Sequence, residues 1–236
     1  MADTDSKAKP SVEALKLAAA GEEEVYATLG ALLGTLEVIA ADESHPLDRV
    51  QVERLRSAGR LGRRINHFLE AMLILASEDL GDRLRRVHTP LRPLVEHALR
   101  GALRSCEAYA VQQRLPSAEA WGDARVLVDA SRIDRALGAL VEALAVQVGQ
   151  GGTIEVSAQL ANGKAILQLA GRRGSAFVPR EHQVLGFGEE ISLLASALLN
   201  RAWGRLFMLH GGDLTVDCEP PVVRIVLPAL SASEAT

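Results

Sequence analysis

Aromatic side chains are scarce in this chain: Phe, Trp and Tyr together make up 3% of its 236 residues. Nucleic acid is gripped by a concentrated basic field, usually with stacking rings. Here 26 basic residues are outnumbered by 30 acidic ones, for a net charge of -4. That balance excludes a nucleic-acid platform. Cysteine is also rare, and Cys106 and Cys218 match neither a disulfide framework nor a metal-ligand spacing. The two are expected to be partly buried thiols in a reducing cytoplasm. Long apolar runs are missing too: the stretch from Leu29 to Ala41 carries a charge and is too short to cross a bilayer. The polar start, Met1 to Pro10, lacks the apolar segment of a secretory signal, so a flexible tail on a cytoplasmic protein is expected.

What the sequence does have is helical periodicity. Val25, Leu29, Leu32, Leu36 and Ile39 recur at steps of four and three, as do Leu61, Ile65, Phe68, Met72 and Leu75. Each set draws one apolar seam along a helix. The short connection between them, Ala41 to Leu47, contains Pro46, so the helices fold back as an antiparallel hairpin. Two helices alone leave their seams wet, and pairing with a second hairpin into a four-helix bundle covers them. A homodimer is therefore expected, with Val25, Leu32, Leu36, Ile39, Leu61, Ile65, Phe68, Met72 and Leu75 at its interface. Arg54, Arg56, Arg60, Arg63 and Arg64 read as the wet face of the second helix, or as a guide for an acidic partner.

Three segments follow from these signals. Residues 1–20 form a flexible tail, with a short helix over Val12 to Ala20 capped at Ser11 and closed by Gly21. The dimerisation hairpin spans 21–80, and a charged stretch without a seam, Ser77 to Arg86, leads into a further domain over 87–230. In that domain a helix is expected over Leu91 to Ala108, and strands over Val111 to Leu115 and Ala124 to Val128. A helix capped by Asp129 or Ser131 then runs to about Val148. Runs from Thr153 to Leu160 and Lys164 to Leu169 flank Ala161-Asn-Gly163, a hairpin signature. A loop over Gly171 to Phe187, a helix over Ile191 to Leu209, and strands over Leu214 to Cys218 and Val222 to Val226 complete the pattern. The fold class is α+β: a helical hairpin followed by an α/β sandwich with helices on one face of a mixed sheet.

This order, with the stretches Arg54 to Glu70, His88 to Arg100, Val128 to Val156 and Leu209-His-Gly-Gly-Asp-Leu-Thr-Val216, resembles the dimerisation hairpin and ATPase-like domain of sensor histidine kinases. The likeness implies two-component signalling and the family's fold. The residues that carry the family's chemistry are a different matter. Aligning Ala31 to Ile39 with the family's pattern puts Glu23 at the phosphoacceptor position, and a carboxylate offers no imidazole nitrogen. Ala139 and Ala143 stand where the family has two asparagines, and a methyl group cannot ligate magnesium. Gly171 replaces the aspartate that accepts the adenine amino group, with Arg173 and Ser175 where accompanying glycines belong. Ala197-Leu-Leu-Asn200 stands in for the glycine-rich lid. The resemblance is thus to a degenerate pseudo-histidine-kinase, with no cofactor, no metal and no catalytic residue expected.

The function this implies is a non-catalytic adaptor that binds a signalling partner, by resemblance a response-regulator receiver domain. Tyr26, Leu29, Gly30, Leu33, His67 and Glu70 on the lower hairpin are the candidate contacts. Two alternatives stay open. One is a phosphotransferase using an unusual histidine, for which His67 is a candidate beside its plainer role as a helix flank. The other is a sensor holding an anion in a remodelled cleft through Arg172 and Arg173, which otherwise read as a solvated hairpin end. Glu22 to Glu24 complement the dipole of a helix start, and His210 that of a helix end.

Overall fold

The computed structural model describes residues 12–42, 44, 47–174 and 189–230, with the backbone alone for 12–24, 26, 189–196 and 230. Helix α1 (Val12–Ala40) and helix α2 (Arg49–Ala76) come first. Helix α1 runs unbroken through Gly21, so the expected short helix is its first part. A glycine costs a helix about 1 kcal/mol against alanine, too little to end one that continues on both sides. The proposed Ser11 cap lies outside the described residues.

The remaining elements are α3 (Leu80–Arg83), β1 (Val87–Pro90), α4 (Leu91–Gly101), α5 (Leu103–Ala108), β2 (Gln112–Arg114), α6 (Ala118–Trp121), β3 (Arg125–Val128), α7 (Ala130–Val148), β4 (Thr153–Ala161), β5 (Lys164–Arg172), α8 (Glu189–Leu209), β6 (Asp213–Cys218) and β7 (Pro221–Leu230). They form a seven-stranded mixed sheet in the order β1-β3-β7-β5-β4-β2, with β6 also paired to β7. Only β2 and β4 run parallel; the other pairs are antiparallel. The expected α+β architecture is therefore present.

Local chemistry explains most of these elements. Asp129 caps α7 by accepting a hydrogen bond from Arg132 N at 3.2 Å. Along α7, Ile133, Ala136, Leu137, Leu140, Val141, Leu144 and Val148 recur at helical steps and are buried against the sheet. Asn162 and Gly163, at φ 51 and 67°, make the tight turn between β4 and β5. On β5 the alternation is strict: Ala165, Leu167, Leu169 and Gly171 are buried, and Gln168 and Arg172 are exposed.

Some elements differ from the sequence reading. The helix over Leu91 to Ala108 is two helices, joined at Ala102. The linker at His88 is the edge strand β1, which pairs with β3. Gly171 and Arg172 extend β5 and are not loop, because β5 finds backbone partners in β4 as far as Arg172. Cys106 is buried as expected, and burial pushes its thiol up; Cys218 is exposed.

The chain divides into two compact units, 1–67 and 68–236. The border falls inside α2, because the end of that helix belongs to the core of the second unit: Glu70, Ala71 and Ile74 are fully buried there. Arg205 of α8 closes the helix, with Nη1 donating to Ile74 O and Leu75 O at 2.8 Å each and Nη2 to Ser77 O at 2.6 Å. Those carbonyls have no partners within a helix end, and the guanidinium supplies them. No helix among the described residues is long and apolar enough to cross a membrane.

Candidate functional site

The two α7 positions singled out in the sequence carry methyl groups. Ala139 is buried, and Ala143, one turn further on, is exposed. Neither can ligate a cation. Opposite the end of α7 lies Gly171 on β5, and there the space is taken. A Cβ built on Gly171 would lie 2.5 Å from Val148 Cγ1 and 3.0 Å from Pro221 Cγ. Gly152 faces the same valine, with its Cβ position 2.8 Å from Val148 Cβ. Val148 and Pro221 therefore fill the room that an aspartate at 171 would need. The lid positions Ala197 to Asn200 lie inside α8, where Leu198 and Leu199 pack against the core. Ser175 lies outside the described residues.

The two arginines proposed as an anion grip are spent elsewhere. Arg172 Nη2 donates to Glu155 Oε2 at 2.9 Å across the β4–β5 ladder, and Arg173 Nη2 sits 3.5 Å from Glu219 Oε1. Strand alternation also turns Arg172 to the face opposite Gly171. Arg172 and Gly171 thus point to opposite faces of β5.

On the hairpin, Leu29 and Gly30 remain at least partly accessible, and Gly30 has no heavy atom within 4 Å of its Cβ position. Leu33 is half-buried and packs on Gly62, whose Cβ position lies 2.8 Å from Leu33 Cδ2. The Tyr26 side chain, like those of Glu22 to Glu24, lies outside the described residues. Burial, aided by the positive charge of Arg63, lowers the His67 imidazole from 6.5 to about 4. Glu70 is fully buried and accepts from Arg135 Nε of α7 at 2.9 Å. It therefore presents nothing to a docking partner.

His210 departs from its expected role as a charged helix end. It is buried, with Nδ1 2.8 Å from Leu206 O and Nε2 accepting from Asp129 N at 3.0 Å. Asp129 Oδ2 in turn accepts from Arg85 N at 3.1 Å. The histidine thus joins the end of α8 to the start of α7. Desolvation lowers its pKa, so it is held neutral. Nothing in the local sequence signals this, because the partners are distant along the chain.

The sign of the pH effect follows directly. Both His67 and His210 bind a proton less readily folded than unfolded, so stability is fully present above about 6.5 and falls as the pH drops through that value. Urea unfolding between pH 7.5 and 5 should show this loss, and His210→Gln should flatten it. An unchanged slope in that variant would contradict the buried neutral assignment.

No family model and no curated protein matches the sequence. Solved structures do. The histidine kinase AdeS of Acinetobacter baumannii superposes with a TM-score of 0.50 at 15% identity, over 86% of this chain and 96% of that one. The fold is that of the histidine kinases. Full-length ShkA, solved with AMPPNP, gives a TM-score of 0.55 at 16% identity over 92% of this chain and 46% of ShkA. The histidine kinase ThkA, solved with the response regulator TrrA, gives 0.50 at 15% identity over 92% of this chain and 61% of that one. At these identities the likeness establishes fold, and the chain spans less than two thirds of the ShkA and ThkA chains. The histidine-kinase-like frame expected from the sequence is thus present. Its chemistry must be argued from the residues in it.

Proposed function

We propose that this protein is a non-catalytic, pseudo-histidine-kinase adaptor that pairs with a second copy through its hairpin and binds a response-regulator receiver domain there. The observation that carries the reading is the nucleotide position itself: alanines at 139 and 143, and a glycine at 171 against which Val148 and Pro221 are packed. Side chains that offer magnesium no oxygen at 139 and 143, and adenine no acceptor at 171, support a frame without ATP to transfer from.

Pairing is supported by what the single chain leaves uncovered. Leu32 is 52% exposed, Ile65 53% and Met72 45%, and Val25, Ile39 and Phe68 are exposed as well. Leu36 and Leu61 are half-buried, and Leu75 packs on the core of the second unit, which makes it the weakest member of the proposed interface. Covering each large apolar side chain contributes roughly 1.5 to 3 kcal/mol. Ile65→Asp combined with Phe68→Asp should therefore turn a dimer into a monomer in analytical ultracentrifugation. A parent chain that sediments as a monomer at tens of micromolar would remove the pairing proposal.

The receiver is supported by the ThkA structure, in which a kinase of this fold holds a response regulator. In this chain Leu29, Gly30 and Leu33, with Tyr26 and His67 beside them in the sequence comparison, form the proposed contact; buried Glu70 is left out. Capture of receiver domains from the same cell should be lost on Leu29→Asp while the melting temperature stays within a few degrees of the parent. Undiminished capture would place the contact elsewhere.

A further inference from the structure

Helix α2 is one-sided in charge. Between Arg49 and His67 it carries six arginines and a single acid, Glu53, in a chain whose net charge is -4. Leu33 packs on Gly62, whose Cβ position lies 2.8 Å from Leu33 Cδ2, and this contact fixes which sides of α1 and α2 face each other. At about 100° per residue, Leu32 and Ile39 of α1 and Leu61 and Ile65 of α2 then fall to one side of the hairpin. That side is the apolar seam. Gly30 and Gly34 of α1, with Arg56, Arg60 and Arg63 of α2, fall to the other.

This second side is open and cationic. Gly30, Gly34 and Arg56 are exposed, and a Cβ on either glycine would meet no heavy atom within 4 Å. Arg56 has no ion-pair partner among the described residues. Arg60 Nη2 lies 3.1 Å from Oε1 of the exposed Glu53, a kind of pair that contributes at most about 1 kcal/mol and yields to an incoming carboxylate. Against these cations α1 sets Glu37 alone between Gly30 and its end at Ala40. Arg56, Arg60 and Arg63 follow at steps of four and three, the spacing at which carboxylates line one face of an incoming helix. Guanidinium forks match carboxylates, and bare backbone at 30 and 34 lets such a helix come close. A helix lying on a membrane inserts apolar side chains beside its cations, and here they lie on the opposite side.

We infer that this side of the hairpin receives a protein helix carrying carboxylates one turn apart, held by Arg56, Arg60 and Arg63 while its backbone lies along Gly30 and Gly34. The inference rests on the adaptor reading for the hairpin as a docking surface, and adds what selects the partner: an acidic helix, drawn in by charge. Pairing with a second copy uses the opposite side, so both can occur at once.

The test is fluorescence anisotropy of the full chain with a labelled synthetic helix bearing glutamates one turn apart on an alanine framework, beside its glutamine counterpart. The glutamate helix should bind, and weaken about tenfold between 50 and 300 mM salt. Joint replacement Arg56→Gln, Arg60→Gln and Arg63→Gln should weaken it about tenfold or more. Arg54 stands seven residues before Leu61 and so on the apolar side, and Arg54→Gln should change nothing. Gly34→Leu, which fills the bare strip without altering charge, should weaken binding several-fold. Failure of the glutamate helix to bind, equal binding of its glutamine counterpart, undiminished binding in the triple variant, an equal loss in Arg54→Gln, or tighter binding to a DNA duplex or phosphatidylserine vesicles would overturn the inference. Receiver capture separates it from the reading it rests on. Receivers captured equally by parent and triple variant would leave the adaptor standing and overturn the arginine face; peptide binding by a chain that captures no receiver would do the reverse.

Discussion

Gly171→Asp, the substitution that writes the family's adenine acceptor back into the chain, is expected to cripple folding and to bring no nucleotide affinity. Its Cβ alone would lie 2.5 Å from Val148 Cγ1, closer than side chains tolerate, and 3.2 Å from Pro221 O, a tight contact that demands a small shift. The carboxylate beyond it would enter a region where Gly171 and Val148 are both buried. Overpacking of this kind costs about 1 to 3 kcal/mol, and burying a polar group without partners adds a similar amount. The total of about 4 kcal/mol is a large share of the 5 to 15 kcal/mol that holds a domain together, and corresponds to roughly 10 °C in melting temperature. Circular dichroism melts provide the measurement. Gly171→Ala should show the steric part alone, and Val148→Ala should recover some of it, since it removes the nearest colliding atom. If Gly171→Asp melts like the parent, the cleft floor is open and the account of a filled nucleotide position is wrong.

Arg135→Met should produce the second large effect, by removing the cation that faces Glu70. The carboxylate is fully buried and Arg135 is 36% exposed, so the two partners are not symmetrical. Loss of the carboxylate lets the arginine reach water, whereas loss of the arginine takes a cation away from a carboxylate that stays in the core. The expected cost is about 2 to 4 kcal/mol, set below the range for completely buried pairs because solvent reaches the guanidinium. Converting Glu70 to Met as well should restore most of the loss. Urea unfolding of the parent, both single variants and the double variant measures the coupling directly. Arg135→Met with parental stability would show that the ion pair does not fasten the end of α2 to the second unit.

The sequence told most about what depends on neighbours along the chain. The helix running to Val148, its cap at Asp129 or Ser131 and the Asn162-Gly163 turn are local signals; the helix and the turn stand where the pattern put them, and of the two caps it is Asp129 that forms. The histidine-kinase-like order of elements was legible for the same reason. Long-range chemistry was hidden. Glu70 looked like an accessible flank of an amphipathic helix because nothing near it in sequence announces Arg135, 65 positions on. His210 looked like a surface helix end, because its partner Asp129 lies 81 positions away. Strand β5 was read short at Leu169, since Gly171 signals a loop until a valine is seen packed against it. Conversely, the alanines at 139 and 143 were fully legible as absences, because a residue type that cannot ligate needs no geometry to be judged.

The central claim is that this frame holds no magnesium nucleotide, and isothermal titration calorimetry of the full chain with ATP and magnesium tests it most directly. The account predicts no saturable heat at ATP concentrations up to about 1 mM, an affinity weaker than roughly -4 kcal/mol. Saturable, magnesium-dependent binding in the micromolar range, lost on Ala143→Leu, would contradict it.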